Sequence, residues 1–170
     1  MRSAGLLLDG FGRVREAVHA AVKGLGEDAL AARLDPEANA IAWLVWHLTR
    51  VQDDHLADAF GTEQLWRAEG WRDRFGLPFP AGATGYGQSP ADAGLVRAPA
   101  ALLLGYHDAV QDRTAALVAP VTDADLDRVV DTAWDPPVTL GVRLVSVIAD
   151  GLQHAGQAAY VRGVLGRTGG

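Results

Sequence analysis

The 170-residue sequence contains no cysteine. Disulfide bonds and thiolate metal sites are therefore excluded, and the absence fits a reducing compartment, so we expect a cytoplasmic protein. Any thiol that takes part in the chemistry of this chain must be brought in by a ligand.

Positive charge and long apolar runs are also scarce. There are 15 Lys and Arg against 21 Asp and Glu, which gives a net charge of −6, and the basic residues form no patch. This charge argues against a nucleic-acid or anionic-membrane surface. No stretch approaches the roughly 18 apolar residues of a membrane span, and early charges after the N-terminal Leu run predict an amphipathic helix rather than a signal peptide. We expect neither nucleic acid nor membrane as a partner.

What is present is the composition of an ordinary globular protein. Hydrophobic residues make up 49% of the chain and charged residues 21%. A chain of this length can bury a sizeable core within one domain. We therefore expect residues 1–170 to form a single domain.

Four long stretches show helical periodicity, and they predict helices at about 3–23, 39–61, 99–120 and 139–167. Asn39 and Thr139 are the predicted N-caps, and Gly61 is the predicted stop of the second helix. A helical turn capped by Thr122 and a short extended piece are expected between the last two helices. Four such helices in one small domain predict an all-α four-helix bundle.

The connection between the second and third helices, residues 61–98, is unusually long. It holds five of the twelve aromatic residues of the chain: Trp66, Trp71, Phe75, Phe79 and Tyr86. We expect it to pack over the bundle and to be long enough for helices two and three to run parallel. Its Gly-rich part, "GATGYGQSP", lacks a nucleotide-binding pattern.

The last helix carries an acid and a histidine four residues apart, Asp150 and His154. They lie about 6 Å apart along the axis on one face, so that both can reach one ion. Ser146 and Gln157 share this face, and the opposite face is predicted to be apolar, with Val145, Ile148, Leu152, Ala155 and Ala159. On spacing alone, the solvent-exposed side of an amphipathic helix is the more common explanation of such a pair. The lack of Lys and Glu on this face favours a site.

His47 lies in the middle of the predicted second helix, among Trp43, Leu44 and Val51. A lone histidine on an apolar face is more often a core residue than a ligand. If the second and fourth helices are neighbours, however, His47 faces Asp150 and His154. Two imidazoles and a carboxylate leave a fourth coordination position open, as catalytic zinc sites do.

The other polar candidates fit a shared ion less well. His55 lies about 12 Å further along the helix than His47 and cannot reach the same ion. His107 is the best spare ligand, although a surface role or a role beside a ligand is expected, and His19 is expected to be exposed. The acids of the second helix are interpreted as solvated or paired charges, with Arg50 as a partner: Asp53, Asp54 and Asp58.

At these residues the sequence resembles the mycothiol S-transferase branch of the DinB-like superfamily of four-helix metal-binding bundles. The resemblance is carried by long collinear stretches at 39–55, 70–80, 84–90, 96–110 and 129–163. It implies an up-down-down-up bundle and a metal site made by His47, Asp150 and His154, the last followed by "AGQ". Many superfamily members have histidine at the place of Asp150, whereas the related thiol-dependent isomerases have an acid there.

The resemblance also implies a function: a divalent-metal-dependent S-transferase that conjugates a mycothiol-like thiol to electrophiles in detoxification. Zinc is the favoured ion, with nickel, iron and manganese open, and the implied partners are a small-molecule thiol and an electrophile, with a homodimer left open. The residues expected to contact substrate are Arg50, Gln157 and Tyr86, with Trp43, Trp46 and Trp134 as apolar walls. The alternatives are a metal- or ligand-binding stress protein without turnover, and a purely structural or dimerising bundle.

Overall fold

The computed structural model describes residues 2–168 and contains the four long helices that periodicity predicts. In chain order the elements are α1 (Ser3–Val22), α2 (Glu27–Ala31), α3 (Ile41–Phe60), α4 (Leu65–Ala68), α5 (Trp71–Phe75), α6 (Pro90–Ala93), α7 (Ala100–Val118), a 3₁₀-helix (Asp125–Asp127), β1 (Val129–Asp131), β2 (Val138–Thr139) and α8 (Leu140–Thr168). The all-α bundle is confirmed. Within residues 2–168, no helix is long and apolar enough to cross a lipid bilayer.

The four long helices form a ring in the order α1, α8, α3, α7. Helices α3 and α7 run parallel, because Thr49 contacts His107 while Gln52, one turn later, contacts Thr114. Helices α1 and α8 also run parallel, since Gly10 packs on Ile148 and Val14 on Gly151. The long connection allows the two parallel neighbours, and the bundle is up-down-down-up, as expected.

Helix α8 runs antiparallel to α3, and this pairing positions the candidate site. His47, in the first half of α3, contacts His154, whereas His55, nearer its end, contacts Arg143 at the start of α8. The boundary between these two helices, called here the α3–α8 seam, therefore carries polar side chains over several turns.

Two apolar clusters hold the bundle together. The larger surrounds Trp46 and Tyr106, which are 1% and 0% exposed. The smaller lies around Phe11 and Leu144, between α1, the end of α3 and the start of α8. Fully burying one large apolar side chain contributes about 1.5–3 kcal/mol, so these clusters dominate the stability of the fold.

The connection at 61–98 folds over the bundle as three short helices, as predicted in outline. Trp66, Trp71 and Phe75 are buried. Tyr86 is the exception among its aromatics, because it is 92% exposed. Beneath this connection Asp53 is 5% exposed, so of the two predicted states, solvated or paired, it takes the paired one.

Asp53 anchors this connection to α3. Its carboxylate accepts hydrogen bonds from the backbone N–H groups of Leu65 and Trp66 and from the hydroxyl of Tyr106. Arg50 approaches Asp53 at 3.6 Å, so its acidic partner is Asp53 and not Asp54. A buried carboxylate requires such partners, which is why this acid marks a structural anchor.

Most of the predicted helix ends are correct. Gly61 ends α3 in the left-handed conformation, and the Thr139 hydroxyl accepts a hydrogen bond from the N–H of Val142. Thr122 caps the turn that leads into the 3₁₀-helix, and β1 and β2 form a small antiparallel sheet. The predicted N-cap Asn39 is wrong, because Ala40 holds that position and makes no side-chain cap.

The predicted apolar face of α8 is partly wrong. Val145 and Leu152 are 58% and 42% exposed, and Ala159 is exposed as well. The buried face instead contains Leu144, Val147, Gly151, Ala155 and Ala158. Because α8 packs between α1 and α3, the face that it buries differs from the predicted one. Asp150 and His154 lie at the edge of this buried face, next to α3.

Candidate metal centre

His47, Asp150 and His154 come together on the α3–α8 seam. One ligand atom from each lies within 4.8 Å of the other two, and no other group of three potential His, Cys, Asp or Glu ligands is found this close among residues 2–168. Ligands at zinc distances of about 2.0–2.1 Å are separated by roughly 3.4 Å. The cluster is therefore somewhat wider than a filled site and would contract around an ion.

Each histidine is held by a hydrogen bond that fixes its tautomer. The Nδ1 atom of His47 lies 2.6 Å from the carbonyl oxygen of Thr84, and Nδ1 of His154 lies 2.9 Å from Oε1 of Gln157. Both partners are acceptors, so each Nδ1 carries a proton, and in the neutral form of each ring the lone pair lies on Nε2. Metal-binding histidines commonly have this arrangement.

The two histidines differ electrostatically. Burial lowers the pKa of His47, which is 6% exposed and therefore stays neutral at physiological pH. The hydrogen bond and charge of Asp150, whose Oδ1 lies 3.4 Å from Nε2 of His154, raise the pKa of His154. With a raised pKa, His154 more readily binds a second proton, on Nε2. A cation would displace that proton, because a ligating imidazole must be neutral.

Asp150 provides an independent indication of a cation. Its Oδ2 atom is buried and has no hydrogen-bond partner in the described part of the chain. A buried carboxylate oxygen without a partner is costly, and a divalent ion would satisfy it. The donor set, two imidazole nitrogens and one carboxylate oxygen with room for a further ligand, fits zinc and related divalent metals.

The loop at 84–88, called here the clamping loop, packs against His47. The ring of Trp43 stacks on His47 at 4.5 Å, and its Nε1 donates to Oε1 of Gln88. Gly85 has φ +97°, and a Cβ atom there would lie 2.7 Å from Nδ1 of His47. Only glycine allows the backbone to approach the imidazole so closely.

Three of the predicted substrate contacts are closed off by packing. Arg50 is 0% exposed, lies over the ring of Trp66 and donates to the carbonyl of Ala83. Trp46 is 1% exposed and packs in the core, and Trp43 is occupied by His47 and Gln88. These side chains therefore pack beneath the candidate site and its loop, on the side away from solvent.

The other three predicted contacts remain open to a ligand. Gln157 is exposed beside His154, and Tyr86 projects from the clamping loop. Trp134 is 67% exposed, lies between β1 and β2, and lines a cavity with His55 and Arg143. Substrate contact by these residues stays a prediction.

Two histidines lie elsewhere than expected. His107 is 0% exposed and lies in the core between α3 and α7, where its Nδ1 contacts the Thr49 hydroxyl at 3.1 Å. The expected role at the surface or beside a ligand is thus wrong. His19 is partly rather than fully exposed and pairs with Asp108 at 2.8 Å.

Arg143 forms a polar group beside the α3–α8 seam that was not predicted from the sequence. The guanidinium of Arg143 bonds Asp131 at 2.7 Å and Nδ1 of His55 at 2.8 Å. Burial, followed by the charge of Arg143, lowers the pKa of His55. Arg143 precedes Asp150 by two helical turns, so the two residues lie on the same face of α8. This spacing in the sequence could have predicted the position of Arg143.

The fold and the cluster define the chain as a DinB-like four-helix bundle with a two-histidine, one-carboxylate group on its α3–α8 seam. The family model of the mycothiol S-transferases matches residues 6–166, and the chain belongs to that family.

Comparison with solved structures supports the fold. A crystal structure described as the conserved protein of a locus from Enterococcus faecalis is similar, with a TM-score of 0.89 and 29% sequence identity over 95% of this chain and 96% of that chain. A search of curated proteins gives no significant match.

Proposed function

We propose that this protein is a metal-dependent S-transferase that joins a low-molecular-weight thiol of the mycothiol type to an electrophile. The observation that carries the proposal is the convergence of His47, Asp150 and His154 within 4.8 Å in a chain of the mycothiol S-transferase family. Zinc is the ion we favour, and detoxification in the cytoplasm is the role we propose.

The three side chains would hold the ion through Nε2 of His47, Nε2 of His154 and the carboxylate of Asp150. A divalent ion held there would lower the pKa of a thiol beside it, so that a thiolate is available at neutral pH. Because the chain has no cysteine, the thiol must belong to the co-substrate.

The surrounding residues prepare this site in distinct ways. Thr84 and Gln157 hold the two imidazoles in the required tautomer. The indole of Trp43 covers one face of His47 and shields it from water. Asp150 and His154 keep 33% and 17% of their side chains exposed, so a substrate can approach from their side.

Metal content tests the site directly. We expect about one divalent ion per chain in wild type and in His19→Ala, a histidine variant outside the cluster. His154→Ala should lose at least about ten-fold in affinity because it removes a ligand. Equal metal in His154→Ala and wild type, measured by elemental analysis after dialysis, would refute the metal centre.

Turnover requires a second assay. Wild-type protein loaded with zinc, nickel, iron or manganese is incubated with mycothiol and monochlorobimane, and the fluorescent thioether is quantified. We expect conjugation above the uncatalysed rate, lost in His154→Ala and kept in His19→Ala. A protein that binds metal but forms no thiol-dependent conjugate with any of these metals would instead support a binding function without turnover.

A further inference from the structure

Two cavities lie on the α3–α8 seam, one on each side of the His47, Asp150 and His154 cluster. The first, of about 450 Å³, includes His55 and Arg143 and is called the charged cavity. The second, of about 500 Å³, includes Leu44 and Gln157 and is called the apolar cavity. Since α3 and α8 are antiparallel, the cluster lies between them along the seam.

The charged cavity suits a hydroxyl-rich, uncharged molecule. Four of its lining residues are acids and two are arginines: Asp54, Asp58, Glu63, Asp131, Arg67 and Arg143. Carboxylates accept hydrogen bonds from hydroxyl groups and guanidinium groups donate to them, whereas the excess of acids repels an anionic ligand.

A further feature of the charged cavity favours a ligand. The indole of Trp134 is 67% exposed at the edge of the cavity and offers a flat apolar surface to a saturated ring. A polyhydroxylated ring could hydrogen-bond to the charged groups that line the cavity and stack on the indole of Trp134.

The apolar cavity has a different chemistry. Five of its eight lining residues are glycine, aliphatic or aromatic: Ala38, Leu44, Gly156, Tyr160 and Val161. The other three are Glu37, Asn39 and Gln157, and Gln157 already accepts a hydrogen bond from His154. Such a wall binds an apolar or aromatic molecule through burial of its surface.

We propose that these two cavities divide the substrates of the transferase: the charged cavity receives the hydroxyl-rich body of the thiol, and the apolar cavity receives the electrophile. This assignment rests on the proposed function. With an alkyl halide as the electrophile, the carbon–sulfur bond forms as the carbon–halogen bond breaks, the halide leaves with the bonding electrons, and the thiol proton passes to solvent.

Gly156→Leu tests the apolar cavity. A Cβ atom at Gly156 meets no other atom within 4 Å, so the larger side chain can extend into the cavity without disturbing the helix. We expect the KM for monochlorobimane to rise about ten-fold or more, with the KM for mycothiol unchanged. Gly12→Leu is the matched control, because Gly12 of α1 is also free of neighbours.

Trp134→Ala tests the charged cavity. It should raise the KM for mycothiol about five-fold or more and leave the KM for monochlorobimane unchanged, because it removes the surface for the ring. Leu6→Ala is the control, since Leu6 is a 61% exposed hydrophobic residue on α1. Wild type should also prefer mycothiol to the anionic thiol glutathione.

Equilibrium binding separates failure of the assignment from failure of the proposed function. Binding of mycothiol and of the unreactive syn-dimethylbimane to the metal-loaded variants is measured by calorimetry, so the assignment is tested even if wild type shows no turnover. We expect Trp134→Ala to weaken only mycothiol binding and Gly156→Leu to weaken only bimane binding. A reversed pattern, equal effects on both ligands, or no effect in either variant overturns the division.

Discussion

Gly85→Ala should disable the metal centre without removing any ligand. The added Cβ would lie 2.7 Å from Nδ1 of His47 and 3.1 Å from atoms of both Trp43 and Trp46, whereas ordinary contacts are 3.4–4 Å. The imidazole or the loop must therefore move by about 0.7 Å, beyond the roughly 0.5 Å that a functional site tolerates. Movement of the loop also lengthens the 2.6 Å hydrogen bond from His47 to Thr84.

The expected loss of metal affinity is about 10–100-fold, the usual effect of disturbing a partner that orients a metal ligand. Gly87→Ala is a closely matched control, because Gly87 also has positive φ, +72°, but an added Cβ there meets nothing within 4 Å. Both variants pay about 1–2 kcal/mol for the left-handed conformation, and only Gly85→Ala adds the collision.

The assay is competition for Zn²⁺ against a chromophoric chelator, with the thermal midpoint of the metal-free proteins as the measure of folding. If Gly85→Ala binds zinc as tightly as Gly87→Ala, the clamping loop does not position His47, and the reasoning is refuted. If the two metal-free variants differ greatly in thermal midpoint, the imidazole resonances of His47 are compared by NMR instead. Relative to wild type, these resonances should then shift in Gly85→Ala and not in Gly87→Ala.

Three further predictions concern the core and the hydrogen bonds around the site. Burial lowers the pKa of His107 to about 4, so this histidine stays neutral in the folded chain, whereas in the unfolded chain it takes up a proton as the pH falls below its ordinary pKa of 6.5. Unfolding free energy should therefore fall as pH drops from 6.5 towards 4, by about 2 kcal/mol at pH 5, and urea unfolding of His107→Gln should show a shallower dependence. Asp53→Ala should lower the unfolding free energy by about 3 kcal/mol or more, since the two N–H groups of residues 65 and 66 lose their acceptor; a loss below 1 kcal/mol in urea titration would contradict the anchoring role. Gln157→Ala should weaken zinc binding about ten-fold by releasing Nδ1 of His154, and Gln157→Glu, which keeps an acceptor, should restore it; equal zinc affinity in all three proteins would argue against this contact.

The bundle could be predicted from the sequence because its signals are local. The apolar period of each long helix and the stop at Gly61 require no knowledge of the neighbours, and both agree with the structure. The length of the 61–98 connection likewise predicted that α3 and α7 run parallel, since only a long segment can return along the bundle.

Directions of side chains between helices were harder to predict. Helix α8 packs against two partners, so its buried stripe could not be read from its own sequence, and Val145 and Leu152 were misplaced. Burial of Arg50 and Asp53 depends on the fold of the connection above them, because their partners lie in that segment.

The candidate site was predictable in part. The pairing of Asp150 with His154 follows from helical spacing, but bringing His47 to them required the resemblance to a family. No short sequence pattern predicts the packing of residues 84–88 on His47 or the two flanking cavities, because both arise where distant segments of the chain meet. Gly85 is one visible trace, since a glycine between Thr84 and Tyr86 allows positive φ.

The proposed ligands on α3 and α8 are about 100 residues apart in the chain, so an ion held by them would also be a removable cross-link. Closing a loop of that length in the unfolded chain is worth up to about 4.7 kcal/mol when the link is covalent. Loss of the ion would remove this link, while the apolar packing between the two helices and against their other neighbours in the ring would remain. A chelator should therefore lower the thermal midpoint and increase amide exchange first along the α3–α8 seam, which links metal supply in the cell to the lifetime of the folded protein.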